Sequence, residues 1–144
     1  MKWVTREKAK VDRIACPWLI SRFVDNEAVF LFVPAEKVME VAKRESATPF
    51  DVPGAELGHH DDRCSFDAFL ERFGLNDPAL LELALIVRGA DLTTGMAPAE
   101  SAGLVALAAG FRFVAKDDFD NMRLQFPAYD AWYAYCKAKV ANRN

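Results

Sequence analysis

Apolar residues recur along this chain at strand spacing in some stretches and at helical spacing in others, and the two spacings divide it into elements. Trp3–Thr5 reads as a short strand. Asp12 is suited to cap a helix and Pro17 to occupy a first helical turn. A helix is therefore predicted to start within residues 13–17 and run to Val24, with Leu19, Ile20 and Phe23 inward. Ala28–Val33 is the strongest strand, and its nearly unbroken apolar run predicts burial on both faces. After Pro34, Ala35–Glu45 alternates as an amphipathic helix with Val38, Val41 and Ala42 inward. Thr48–Cys64 is punctuated by Pro49, Pro53, Gly54 and Gly58, so it reads as a loop with strand pieces at Thr48–Val52 and Glu56–His59.

The second half is helical. Ser65 caps a helix over Phe66–Phe73 that Gly74 stops, and Asp77-Pro78 opens the next. Leu80–Val87 is apolar on every side, which predicts a buried central helix ended by Gly95 or Pro98. Ala99–Ala109 is predicted to stop at Gly110. Asp117 caps Asp118–Phe126, and Pro127 is expected to kink or break the chain before Tyr129–Val140. Tyr129, Trp132, Tyr133 and Cys136 form one helical stripe, which is a core signature. The sum is an α+β fold: one mainly helical domain over residues 1–144, with a small sheet from the N-terminal half.

Composition sharpens this picture. The 144 residues are 52% apolar and 27% charged, enough core for one folded domain and against global disorder. The formal net charge of −3 argues against nucleic-acid binding held by phosphate contacts. No apolar run reaches the roughly 18 residues of a membrane span, and the N-terminus lacks the apolar core of a secretory signal. Three cysteines, an odd number, do not make a disulfide scaffold, so a cytoplasmic setting with free thiols is expected. The pattern gives no oligomeric state.

Three stretches carry candidate chemistry. In residues 56–64, Glu56 and His59 are ligand types for a transition metal, and a turn at Gly58 would bring them together. His59 and Asp61 on one strand face are an alternative, and a solvated acidic loop is the plain one. In residues 12–22, Cys16 precedes a proline near a helix start, where the dipole favours a reactive thiolate, although burial would make it inert. Arg13 and Arg22 could clamp a small anion beside it, or pair with internal carboxylates such as Asp12, Asp25 or Asp67. In residues 86–91, Arg88 and Asp91 lie one turn apart and could pair with each other. A carboxylate at the end of a core helix also makes Asp91 a candidate third ligand with Glu56 and His59. Such mixed ligands suit zinc, iron or manganese alike.

These stretches resemble the C-terminal domain family of ChrB chromate-resistance proteins. The opening block runs Val11-Asp12-Arg13-Ile14-Ala15-Cys16-Pro17-Trp18-Leu19-Ile20, then Arg22-Phe23. The middle is Thr48-Pro49-Phe50-Asp51, then Gly54, Glu56 and His59, then Cys64-Ser65-Phe66-Asp67. The later block is Ile86-Val87 with Asp91. The resemblance spans roughly residues 3–137 and implies a role in chromate-responsive regulation. Proteins of the family typically carry another domain in front, and relatives are fused to rhodanese-like domains. No such half is recognised here, so no direct nucleic-acid contact is expected of this domain. His60 fits the pattern less well than His59, and Arg88 stands where some relatives have His.

Two functions follow as expectations. One is a sensor or accessory domain that binds a metal or an oxyanion, with chromate as partner. The other is a small metal- or thiol-dependent redox enzyme acting on chromate or its damage products. A helical interaction domain is the plain alternative to both.

Overall fold

The structure, a computed structural model, describes residues 1–92 and 96–143. Strand β1 (Lys2–Arg6) lies at the centre of a three-stranded sheet, with β2 (Val29–Val33) and β3 (Thr48–Pro49) on its flanks, both parallel to it. Side chains on β1 alternate between two cores, as the pleat requires. Trp3 enters the main cluster with Phe50, Phe69 and Leu83, while Val4 enters a smaller one with Val38, Val41 and Val52.

Helix α1 (Asp12–Leu19) follows β1 and passes without a break into a wider π-helical turn, Ile20–Val24. A 3₁₀ turn (Ala35–Lys37) leads into α2 (Val38–Glu45), which packs Val38, Val41 and Ala42 against the second face of the sheet. Helices α3 (Ser65–Arg72), α4 (Pro78–Asp91), α5 (Ala99–Val114) and α6 (Asp118–Ala141) complete the domain. Helix α4 buries Leu80, Leu83, Ala84, Ile86 and Val87 and packs against α3, α5 and α6, the central position its apolar sequence requires.

The α+β class, mainly helical with a small N-terminal sheet, is the architecture observed. Several boundaries differ from the sequence pattern. Helix α1 starts at Asp12, so Pro17 lies inside it. Residues 12–14 have no helical carbonyl four positions earlier, whereas Pro17 faces that of Arg13, forgoes one hydrogen bond and sets its ring against that carbonyl, a cost offset by the burial of Ile14, Trp18 and Leu19 around it. The strand expected to be buried on both faces, β2, is an edge strand with Val29 half exposed. Its position comes from pairing with β1 on one side only. Helix α5 runs past Gly110 to Val114, and α6 runs through Pro127 as one helix of 24 residues. The Glu56–His59 strand reduces to single bridges, Phe50 with Leu57 and His60 with Arg63. Helix α4 ends at Asp91, and the stop proposed at Gly95 lies outside the described residues.

Candidate functional site

Three carboxylates surround one imidazole nitrogen. His59 Nε2 lies 2.9 Å from Asp91 Oδ2, 3.1 Å from Asp51 Oδ1 and 3.4 Å from Asp12 Oδ2. Asp12, His59 and Asp91 each present a ligand atom, and these atoms lie within 4.8 Å of one another. Four separate segments supply the group: the start of α1, the turn after β3, the Gly58 loop and the last residue of α4.

Local structure explains each placement. Asp12 is fully buried yet does not cap its own helix. Its carboxylate accepts the backbone amides of Ser65 at 2.7 Å and Phe66 at 3.2 Å, so it caps α3 and ties the starts of two helices together. Asp51, two residues beyond β3, takes a left-handed backbone conformation, φ +51°, and its side chain is buried. There it accepts the Ser65 hydroxyl at 2.7 Å. Its other oxygen faces Arg6 at 3.4 Å and Arg13 at 3.8 Å. His59 follows the close turn at Gly58, where a Cβ would sit 3.2 Å from the Ala55 carbonyl oxygen. The His59 side chain is 41% exposed, so the cluster is reachable from solvent although Asp12 and Asp51 are buried.

The electrostatics follow from that crowding. Hydrogen bonds to Asp12 and Asp51, reinforced by their charges, push His59 up to about 10, against the opposing effect of burial. Burial and the neighbouring charges of Asp12 and Asp51 push Asp91 up to about 7. Burial likewise raises Asp12. Burial alone would raise Asp51 too, but His59, Ser65 and Arg13 hold it below the ordinary carboxylate range. A site in which carboxylates compete for one cation is suited to a second, more concentrated positive charge.

The expected trio of Glu56, His59 and Asp91 is only partly brought together. His59 and Asp91 meet; Glu56 points away, its side chain 81% exposed and 3.6 Å from Arg72 Nε. The cause is the alternation of an extended segment. Leu57 is buried against the core through its bridge to Phe50, so the preceding side chain faces out. Asp12 occupies the place expected of Glu56. His60 also stays outside, with Nε2 2.8 Å from the Glu56 carbonyl oxygen, and Asp61 is exposed.

The arginines do not form a clamp. Arg13 donates to the Lys8 carbonyl oxygen at 3.1 Å and faces Asp51, so it belongs to the rim of the cluster. Arg22 makes a two-pronged pair with Asp130 of α6 at 3.0 and 3.1 Å. Because α1 begins at Asp12, the two arginines stand on one continuous helical path and point apart. Cys16 is fully buried behind Asp12, 3.8 Å from its Oδ1, and burial pushes its thiol well above the usual range, the opposite of a reactive thiolate. Cys64 and Cys136 are also buried and free. Arg88 does not pair with Asp91. It makes two 2.9 Å hydrogen bonds to Asp67 at the start of α3.

Sequence reasoning assigned Asp12 a capping role and a place among the carboxylates that could pair with Arg13 or Arg22, but no ligand role, and assigned Asp51 none. Both nevertheless fall inside the blocks that resemble the family, which was the available signal.

The family described as "ChrB, C-terminal domain" matches residues 3–136. Protein ChrB of Cupriavidus metallidurans is 40% identical over 112 residues, which cover 77% of this chain and 33% of that protein. The chain therefore corresponds to about a third of the length of that relative. No solved structure matches the chain.

Proposed function

Since the chain belongs to the ChrB C-terminal domain family, we propose that it serves chromate resistance as a sensor or accessory domain in which Asp12, His59 and Asp91 hold one divalent transition ion. The observation that carries this reading is the approach of three ligand atoms from three distant segments to within 4.8 Å of one another. One imidazole and several carboxylate oxygens form a donor set for zinc, iron or manganese. Asp51 Oδ1 faces the same His59 Nε2 at 3.1 Å while Arg6 and Arg13 offset its charge, so it stands as a neighbouring carboxylate that would share the ion once that nitrogen has given up its proton. An inorganic oxyanion such as chromate would approach through the open cavity beside His59, about 800 Å³ in volume, with Arg6 on its wall. Its tetrahedral dianion suits a metal flanked by guanidinium groups.

Metal analysis of untagged protein, purified without chelator, tests the reading. About one zinc, iron or manganese ion per chain is expected, lost in His59→Ala and Asp91→Asn. A metal-free preparation that takes up none of the three ions would end it. Adding chromate then separates sensor from enzyme. Chromate bound with its yellow absorbance intact supports the sensor, and loss of that absorbance with turnover supports the redox enzyme. The burial of Cys16 and Cys64 disfavours the thiol version of the enzyme.

A further inference from the structure

A second cavity, about 570 Å³, shares Asp91 with the candidate metal site and is otherwise lined by residues the metal reading does not use. Along one wall, Val105, Ala108, Ala109 and Arg112 of α5 stand at i, i+3, i+4 and i+7, a single helical stripe that is apolar until it ends in a guanidinium. Val11 and Ala90 line the facing side, and Lys10 adds a second cation. Neither Lys10 nor Arg112 forms a salt bridge with any described residue. Phe113 borders the same space and is 91% exposed as a residue, an unusual position for a phenylalanine. Asp91 does not balance the two cations, because its carboxylate is already paired with His59 at 2.9 Å.

We infer that this cavity binds a small amphipathic anion, its head on Lys10 and Arg112 and its apolar body along the Val105–Ala108 stripe beneath Phe113. The volume lies within the ordinary range for small-molecule pockets. The lining follows their usual pattern: apolar walls and a few convergent charges that set orientation. A carboxylate and a phosphate monoester share the head-group chemistry. A bare inorganic anion would leave the apolar wall and Phe113 in water. The site does not depend on a bound metal.

The test uses chelator-treated protein, so its result is separate from that of the metal reading. Backbone amide NMR is followed during titration with hexanoate, hexyl phosphate, hexanol and acetate. Hexanoate, hexyl phosphate or both are expected to shift residues 105–113 and to bind at least about tenfold more tightly than hexanol or acetate, a difference of about 1.4 kcal/mol. The tighter of the two identifies the head group. Arg112→Gln and Lys10→Gln, both exposed positions, should each weaken anion binding about tenfold and leave hexanol unchanged. Equal binding of hexanoate and hexanol, equal binding of hexanoate and acetate, no shifts at millimolar ligand, or an Arg112→Gln protein that binds as well as the parent would each overturn the inference.

Discussion

Asp67 shows how single residues hold the site's surroundings in place. Its side chain is only 2% exposed and accepts both Arg88 prongs, the Cys64 amide and the Cys64 thiol. Burial pushes the Asp67 carboxyl up, but Arg88 and the Cys64 amide more than offset that, and it titrates below the ordinary carboxylate value. A carboxyl group depressed in the folded state stabilises the fold above its unfolded pKa of about 3.9. That contribution disappears as pH falls through the folded value. Replacing Arg88 with Gln leaves a buried carboxylate without its counter-charge, at a cost of about 3 kcal/mol at pH 7. Urea unfolding should find that loss near neutral pH and a smaller difference between variant and parent under strong acid. A constant difference across the range would count against the ion pair as its cause. Arg22 differs in kind: its pair with Asp130 lies on the surface, with side chains 41% and 48% exposed. Arg22→Gln should change stability by less than about 1 kcal/mol and leave any oxyanion binding untouched. Weakened chromate binding in that variant would return Arg22 to the site.

At the scale of elements, glycine separates close packing from open surface. Gly89 lies in α4 where α5 crosses it, and a Cβ there would sit 2.4 Å from Ser101 Oγ and 2.8 Å from Ala97 Cβ. Ser101 cannot retreat easily, because its hydroxyl donates to the Ile86 carbonyl oxygen at 2.8 Å. Gly103 and Gly110 of α5 have nothing within 4 Å of the corresponding position. Gly89→Ala should therefore destabilise by about 1–3 kcal/mol despite alanine's better helix propensity. Gly103→Ala and Gly110→Ala should each stabilise by up to about 1 kcal/mol. Thermal melts of the three variants decide it, and the same sign at all three would show that propensity alone governs. The same reasoning explains which elements were legible. Helices α2, α3 and α4 followed from apolar spacing, and the start of α4 from its Asp77 cap, because those signals are local; the cap expected at Ser65 falls one residue earlier, at Cys64, since the Ser65 hydroxyl donates to Asp51. Gly110 is expected to stop a helix and Pro127 to kink or break one, yet α5 and α6 run through them unbroken. A break is avoided when neighbouring turns still pack: Tyr129 and Cys136 beyond Pro127 are fully buried. The edge position of β2 was hidden because strand order is a long-range property that no local run encodes.

Across the whole molecule, the candidate site depends on long-range closure, which explains why it was half legible. His59 and Asp91 stood out as ligand types in suggestive places. Asp12 was obscured by its local resemblance to a helix cap, and only the fold shows it capping α3, 53 residues away. A group assembled from such distant segments links ion binding to stability, since the unfolded chain cannot present it. Free metal at 100 times its dissociation constant adds about 2.7 kcal/mol to the folded state. For a chain of this size that corresponds to a rise of about 5–10 °C in melting temperature. The metal-free protein supplies the contrast. Asp91 titrates at about 7, above its unfolded value, so its ionisation destabilises the fold as pH rises from about 4 through about 7. Asp91→Asn removes that charge and should flatten this part of the stability curve. Melting at pH 7.5 with and without zinc, iron(II) or manganese, and again after chelator, should show a reversible rise for the parent and none for Asp91→Asn or His59→Ala. Circular dichroism would confirm that both variants are folded. Equal stabilisation of all three proteins would place the ion elsewhere and remove the cluster from the function.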